Sequence, residues 1–111
     1  MSQNQTLFSD SQLVQIKLGE KHGLTAEEIE LFAQPHFDEE QMERIRWGLE
    51  QGFPIKQIKL YANQSFEADQ MKIILWAIES KFSEIEISSI ANADLEADEM
   101  FEVYEEISRK R

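Results

Sequence analysis

The residues best equipped for chemistry in this 111-residue chain are its carboxylates, and their spacing tests several kinds of it. Asn92, Asp94, Glu96 and Asp98 alternate like the opening of a calcium loop. Ala97, however, stands where that loop needs glycine for its sharp turn, and Val103 where it needs a bidentate glutamate. Asp38, Glu39 and Glu40 would suit a metal cluster, but a helix cap followed by acids in the first turn accounts for them more simply. His22 and His36 have no recurring acid, serine or cysteine at a spacing that would make either a base or a ligand, and both read as surface residues. No glycine-rich loop could cradle a phosphate, and the absence of cysteine removes disulfide and thiolate chemistry. The expectation is a protein that is not an enzyme and that uses no cofactor or metal.

What remains is electrostatics. The chain carries 22 acidic against 11 basic residues, a net charge of −11. Residues 24–52 hold eight acids and two bases, 53–81 three and four, and 82–111 nine and three, so that counted along the chain two acidic ends flank a nearly neutral middle. The candidate partner-binding residues are Glu27, Glu28, Glu30, Asp38, Glu39, Glu40 and Glu43 at one end. At the other they are Asp94, Glu96, Asp98, Glu99, Glu102, Glu105 and Glu106. Direct nucleic-acid binding is excluded, because it needs a cationic footprint for the phosphates. Basic proteins are attracted instead, and a rigid row of carboxylates can occupy a groove built for a phosphate backbone. The competing view is that such charge runs are only solvated faces.

The elements that must carry these groups are announced by repetition. FDEEQMERIRWGLEQG at 37–52 returns 29 positions later as FEADQMKIILWAIESK, and the period aligns Phe8, Phe37, Phe66 and Leu95 in one column. Leu13, Met42, Met71 and Met100 form a second column, and Ile16, Ile45, Ile74 and Val103 a third. The pattern divides the chain into a polar tail at 1–7 and a single domain at 8–110. That domain comprises a half-unit at 8–23 and units at 24–52, 53–81 and 82–110, the signature of a stacked helical array.

Each half-unit opens with a large apolar residue, a capping position, and Glu or Gln three places beyond it, which is the grammar of a capping box with a hydrophobic staple. The starts fall at 8, 24, 37, 53, 66, 82 and 95, predicting seven helices alternately of about thirteen and about nine residues. Pro54, Glu67 and Glu96 are weaker caps than Ser or Asp, so looser entries are expected there. Core stripes run through Met42, Ile45 and Leu49, and through Met71, Ile74, Leu75 and Ile78. Trp47 and Trp76 fall outside the stripes, so their helices need cover on two sides. Both tryptophans, Phe32 and Tyr61 are therefore expected in the core, with Gly48 and Ala77 leaving room for a neighbouring helix.

The unit seen in LFAQPHFDEEQMERIRWGLEQG, and more loosely in LYANQSFEADQMKIILWAIESK, resembles short tandem helical repeats in uncharacterised proteins of Gram-positive bacteria and their mobile genetic elements. The last unit keeps only the Ala, the Met and the apolar spacing. The resemblance implies no enzymatic activity. It does imply a company of small acidic inhibitors of host defence nucleases, of restriction or CRISPR type, some of which imitate nucleic acid. The expected partner is thus a basic protein such as a nucleic-acid-binding nuclease. The other expectation is an adaptor that holds a protein or peptide with Trp47, Trp76, Lys56, Lys59 and Lys72. The amino terminus lacks the basic start and apolar run of a signal peptide, and no stretch suits a membrane, which makes the cytoplasm the expected location.

Overall fold

The structure, a computed structural model, describes residues 7–111, whose regular elements are all helices, with no strand among them. In chain order the helices are α1 (Asp10–Lys21), α2 (Ala26–Phe32), α3 (Glu39–Glu50), α4 (Ile55–Ile58), α5 (Ala68–Glu79), α6 (Glu84–Ile90) and α7 (Ala97–Arg109). The tail expected at 1–7 lies outside the described residues except for Leu7, whose backbone is helical.

Every helix starts where its cap was expected, at Ser9, Thr25, Asp38, Pro54, Glu67, Ser83 and Glu96. At Asp38 the box is reciprocal. The Gln41 N–H donates to Asp38 Oδ1 at 2.8 Å, and the Asp38 N–H donates to Gln41 Oε1 at 2.8 Å. Glu67 and Glu96 make no side-chain cap bond of their own, yet Gln70 and Glu99 still accept from their backbone N–H groups. These two entries therefore keep half the box and lead into full-length helices. Pro54 keeps neither half, and α4 amounts to four residues before i→i+3 bonds carry the chain on to Tyr61.

The short helices run to seven, four and seven residues, shorter than their spacing suggests. The missing residues belong to two consecutive turns that recur three times. At Ala33, Ala62 and Ala91 the chain leaves the helix through an i→i+2 hydrogen bond, from the N–H of Gln34, Asn63 and Asn92 to the C=O of Phe32, Tyr61 and Ile90. This is the inverse γ-turn, and Ala33 at φ −79°, ψ 65° has its geometry. The carbonyls of Gln34, Asn63 and Asn92 then accept from Phe37, Phe66 and Leu95, which delivers the apolar residue ahead of the next cap.

The long helices pack in the order α1, α3, α5, α7, with α2 against α1 and α3, α4 against α3, and α6 against α5 and α7. Met42, Ile45, Leu49, Met71, Ile74 and Ile78 of the expected stripes are buried together with Phe32, Ile58, Tyr61, Ile87 and Ile90 from the short helices. Close approach depends on glycine at two places. A Cβ on Gly48 would lie 2.3 Å from Tyr61 Oη and 2.6 Å from Ile58 Cδ1, and one on Gly19 would lie 2.8 Å from Phe32 Cζ. Each aromatic thus fills the space left by a glycine on the long helix beside it. Tyr61 also donates its hydroxyl proton to the Arg44 carbonyl at 2.8 Å, and burial pushes its phenol well above the usual range.

One side chain per unit fixes the lateral register. Gln12, Gln41 and Gln70 accept from their caps through Oε1 and donate Nε2–H to the carbonyls of Phe37, Phe66 and Leu95, at 2.6, 2.7 and 2.7 Å. Each glutamine therefore ties the start of one long helix to the residue ahead of the next cap. Consequently all four long helices begin along the same edge of a body measuring 55 × 26 × 16 Å.

Candidate functional site

That shared edge reorganises the charge. The four segments that form it, residues 9–12, 34–41, 63–70 and 92–99, hold ten acids and no lysine or arginine, while the rest of the chain holds twelve acids and eleven bases. Nearly the whole net charge lies in one row. The row runs through Asp10, then Asp38, Glu39 and Glu40, then Glu67 and Asp69, and finally Asp94, Glu96, Asp98 and Glu99. A cleft lined by Ser9, Gln12, Asp38, Glu39 and Glu40 spans its first two helices, and one lined by Glu67, Asp69, Asp94, Glu96 and Asp98 its last two.

The picture of two acidic ends is corrected by this arrangement. Dividing the chain at residues 24, 53 and 82 separates groups that the glutamine bonds bring side by side, and it hides the contribution of the middle unit, Glu67 and Asp69. Of the expected residues, Asp38, Glu39, Glu40, Asp94, Glu96, Asp98 and Glu99 stand in the row. Glu27 and Glu28 do not, because α2 starts where α1 ends, at the opposite edge. There Glu28 accepts from the Thr25 N–H. Glu30 lies toward the far end of α2. Glu43 is one turn into α3, with its carboxylate 3.1 Å from Arg44. Glu102, Glu105 and Glu106 are exposed on α7, beyond the row.

Helix physics accounts for part of this placement. Anions favour the positive ends of helix dipoles, typically by about 0.3–1 kcal/mol each. Among the described residues no group of acids, histidines or cysteines is arranged to hold a metal ion. Asn92 and Glu96 act as a turn and a cap, with Asn92 Oδ1 accepting from the Asp94 N–H at 3.0 Å.

The opposite edge is mixed in sign and internally paired. Arg46 is 5% exposed, the most buried cation among the described residues, and its Nε donates to Gln15 Oε1 at 3.0 Å while its guanidinium also reaches Glu50 at 2.9 Å. Glu50 lies 2.6 Å from His22 Nδ1 as well. Burial works to raise the Glu50 carboxyl, but its bonds to His22 and Arg46 outweigh that and hold it below the usual carboxylate range. Sequence reasoning missed Arg46. Its column contains Leu75, a core residue, and a cation in such a column was the available clue. At Glu86 the backbone bond within the Ser83 cap and the Arg111 guanidinium at 2.6 Å keep the carboxyl low.

Trp47 and Trp76 are corrections to the expected core, being 39% and 36% exposed, whereas Phe32 and Tyr61 are fully buried. The second side of α5 is covered through Ile73 and Leu75, leaving Trp76 outside. A groove of about 370 Å³ between α3 and α5 is lined by Arg44, Trp47, Lys72, Leu75 and Trp76, with Glu50, Gln51 and Glu79 at its end toward the opposite edge. Arg44 lies 4.9 Å from the Trp47 ring centroid and Lys72 5.4 Å from that of Trp76, both within cation–π range. Of the residues expected on an adaptor face, Trp47, Trp76 and Lys72 thus come together. Lys56 and Lys59 belong to the short-helix side, where Lys56 Nζ is 3.9 Å from Glu84.

No helix among the described residues is long and apolar enough to cross a membrane. Neither a protein-family model, a curated protein nor a solved structure matches the chain.

Proposed function

We propose that the chain is a tandem helical-repeat protein, not an enzyme, that binds a basic protein partner through its acidic edge. In this reading it takes the place of nucleic acid in a cationic channel, as an inhibitor of a defence nuclease from a mobile element would. The supporting observation is the row of ten carboxylates without a lysine or arginine, carried by four helix starts held in register by glutamine bonds. A channel that binds phosphates presents the complementary charge, and a pre-ordered row loses little conformational entropy on docking. The adaptor reading is favoured by a different observation, the half-exposed tryptophan pair.

The test is competition. A partner captured from the host should lose its nucleic acid as this protein is added, with an apparent affinity that falls steeply as salt rises, since exposed charges are screened over about 8–10 Å. Replacing Glu39 and Glu40 by Gln together with Asp69 and Asp98 by Asn should abolish the competition at unchanged melting temperature. Full inhibition by that variant at physiological salt would eliminate phosphate imitation.

A further inference from the structure

The aromatic surface meets the acidic row in the hollow where Asp69 and Asp98 stand beside Trp76 and Phe101, and together they specify a ligand more narrowly than either alone. Trp47 and Trp76 occupy equivalent positions 29 apart, and Phe101 on α7 meets Trp76 edge to face at 6.0 Å. Beside the groove between α3 and α5, a second hollow of about 350 Å³ lies between α5 and α7, lined by Asp69, Lys72, Ile73, Trp76, Asp98 and Phe101. The three rings thus form a strip across three successive helices. The core does not use the exposed surface of the tryptophans, because Met42, Ile45 and Leu49 on α3 and Met71, Ile74 and Ile78 on α5 are already buried without it.

We propose that this strip is the docking surface for a basic amphipathic helix of a protein partner, with the apolar stripe of that helix on Trp47, Trp76 and Phe101 and its Lys and Arg residues on the rim formed by Glu40, Asp69 and Asp98. The inference rests on the reading of a basic partner and adds what its contact segment must look like. Charge decides the occupant. Glu40, Asp69 and Asp98 share one repeat position about two turns before the tryptophan column, and the segments that hold them contain no lysine or arginine. An acidic segment would have to reach the strip past that row, against a net charge of −11. Lys72 covers the Trp76 indole in the free protein and swings aside, its place over the ring taken by the incoming apolar stripe, whereas Arg44, largely buried and paired with Glu43, stays beside Trp47. Size agrees as well. Helices pack about 8–10 Å apart, so three of them present a strip of roughly 20 Å, which about thirteen residues of helix span at 1.5 Å each.

The probe is a pair of Leu/Lys peptides of about 18 residues with identical composition, one with leucines at helical i, i+3, i+4, i+7 spacing and one with them scattered. Trp47 and Trp76 are the two tryptophans of the chain, so intrinsic emission reports on the strip directly. The periodic peptide should shift emission to the blue and bind about tenfold or more tighter than its isomer, the scale of losing an aromatic anchor at an interface. Phe101→Ala, which keeps both indoles as reporters, should remove most of that preference, and a labelled peptide should show the same for Trp47→Ala combined with Trp76→Ala. Equal binding of the two isomers without a spectral shift overturns the strip. If that binding is still abolished by neutralising Glu39 and Glu40, the acidic-edge reading survives alone. A periodic peptide that binds with the blue shift, while nucleic-acid competition fails, upholds the strip and removes phosphate imitation. A Leu/Glu peptide of the same period that binds equally well refutes the basic occupant.

Discussion

Helices α5 and α7 occupy the same place in successive units and live in opposite surroundings. Of the twelve residues of α5 eight are buried, whereas α7 buries Met100 alone. The difference is written at three positions, where Gln70, Ile73 and Ala77, all buried in α5, become Glu99, Glu102 and Glu106 in α7, all exposed. In α5 that face is covered by α7 and α6, and in α7 nothing in the described chain covers it. A helix face left to solvent is polar where the same face under a neighbouring helix is apolar. The anionic flank of α7 therefore has a structural cause in its exposed position, and it should be separated from the acidic row, which continues across helices that do have neighbours.

The largest contrast between these helices should appear on charging their common core column. Ile74→Asp places a carboxylate at a fully buried site and should cost several kcal/mol, about 4 or more, enough to unfold the domain. Val103→Asp, at the equivalent but half-buried position, should cost clearly less. Thermal melts of the two variants decide it, and equal losses would mean that α5 and α7 are equally covered.

Next in size is Gly48→Ala, because the added methyl meets Tyr61 Oη and Ile58 Cδ1 far inside contact distance. Overpacking of this kind costs about 1–3 kcal/mol. Tyr61→Phe in the same chain should recover only part of it, since Ile58 remains in the way, and denaturant midpoints measure the recovery.

The caps were legible because they are local. Asp38 and Gln41 lie three residues apart, and a box needs nothing else. The second use of each glutamine was not, although Gln12, Gln41 and Gln70 form a visible column, because its acceptor is 25 residues away and a carbonyl carries no sequence signature. The tryptophans show the same limit. Periodicity places Trp76 off the main stripe, but whether Trp76 or Ile73 receives the second cover depends on the angle at which α7 crosses, which no spacing within α5 encodes. The acidic row was hidden for a related reason, being assembled from the short-to-long-helix turns inside successive units by the very bonds that the sequence does not announce.

The glutamine rivet can be tested against its own exception. Gln41→Glu keeps the oxygen that accepts from Asp38 but loses the proton donated to Phe66, and it sets a carboxylate against a carbonyl. A loss of about 1–3 kcal/mol is expected, the cost of leaving a buried acceptor unsatisfied. Glu99→Gln, where Glu99 makes only the cap bond, should be nearly neutral. Acid should expose the opposite edge in turn. The Glu50 carboxyl is held low in the fold, so its contribution is complete above the ordinary carboxylate pKa and is lost as pH falls through the depressed folded value. Arg46→Met removes one source of that depression and should flatten the acid limb of a stability-against-pH curve.

The smallest effect on stability, and the sharpest test of position against quantity of charge, comes from two triple neutralisations. One changes Glu40→Gln, Asp69→Asn and Asp98→Asn in the row; the other changes Glu102→Gln, Glu105→Gln and Glu106→Gln on the flank of α7. All six residues are exposed, and the row variant keeps a side-chain oxygen at position 98 to accept from the Glu99 N–H, as Asp98 does at 2.9 Å, so both variants should melt within about 0.5 kcal/mol of the parent. Each removes three charges, and the long-range field of the molecule falls equally. Their binding should nevertheless diverge. Toward an oligolysine probe, the row variant should lose more affinity and show a shallower dependence on salt than the flank variant, because its carboxylates act alongside neighbours aligned on three helices. Identical salt slopes would mean that net charge alone attracts the partner and that the alignment of the helix starts serves only the fold.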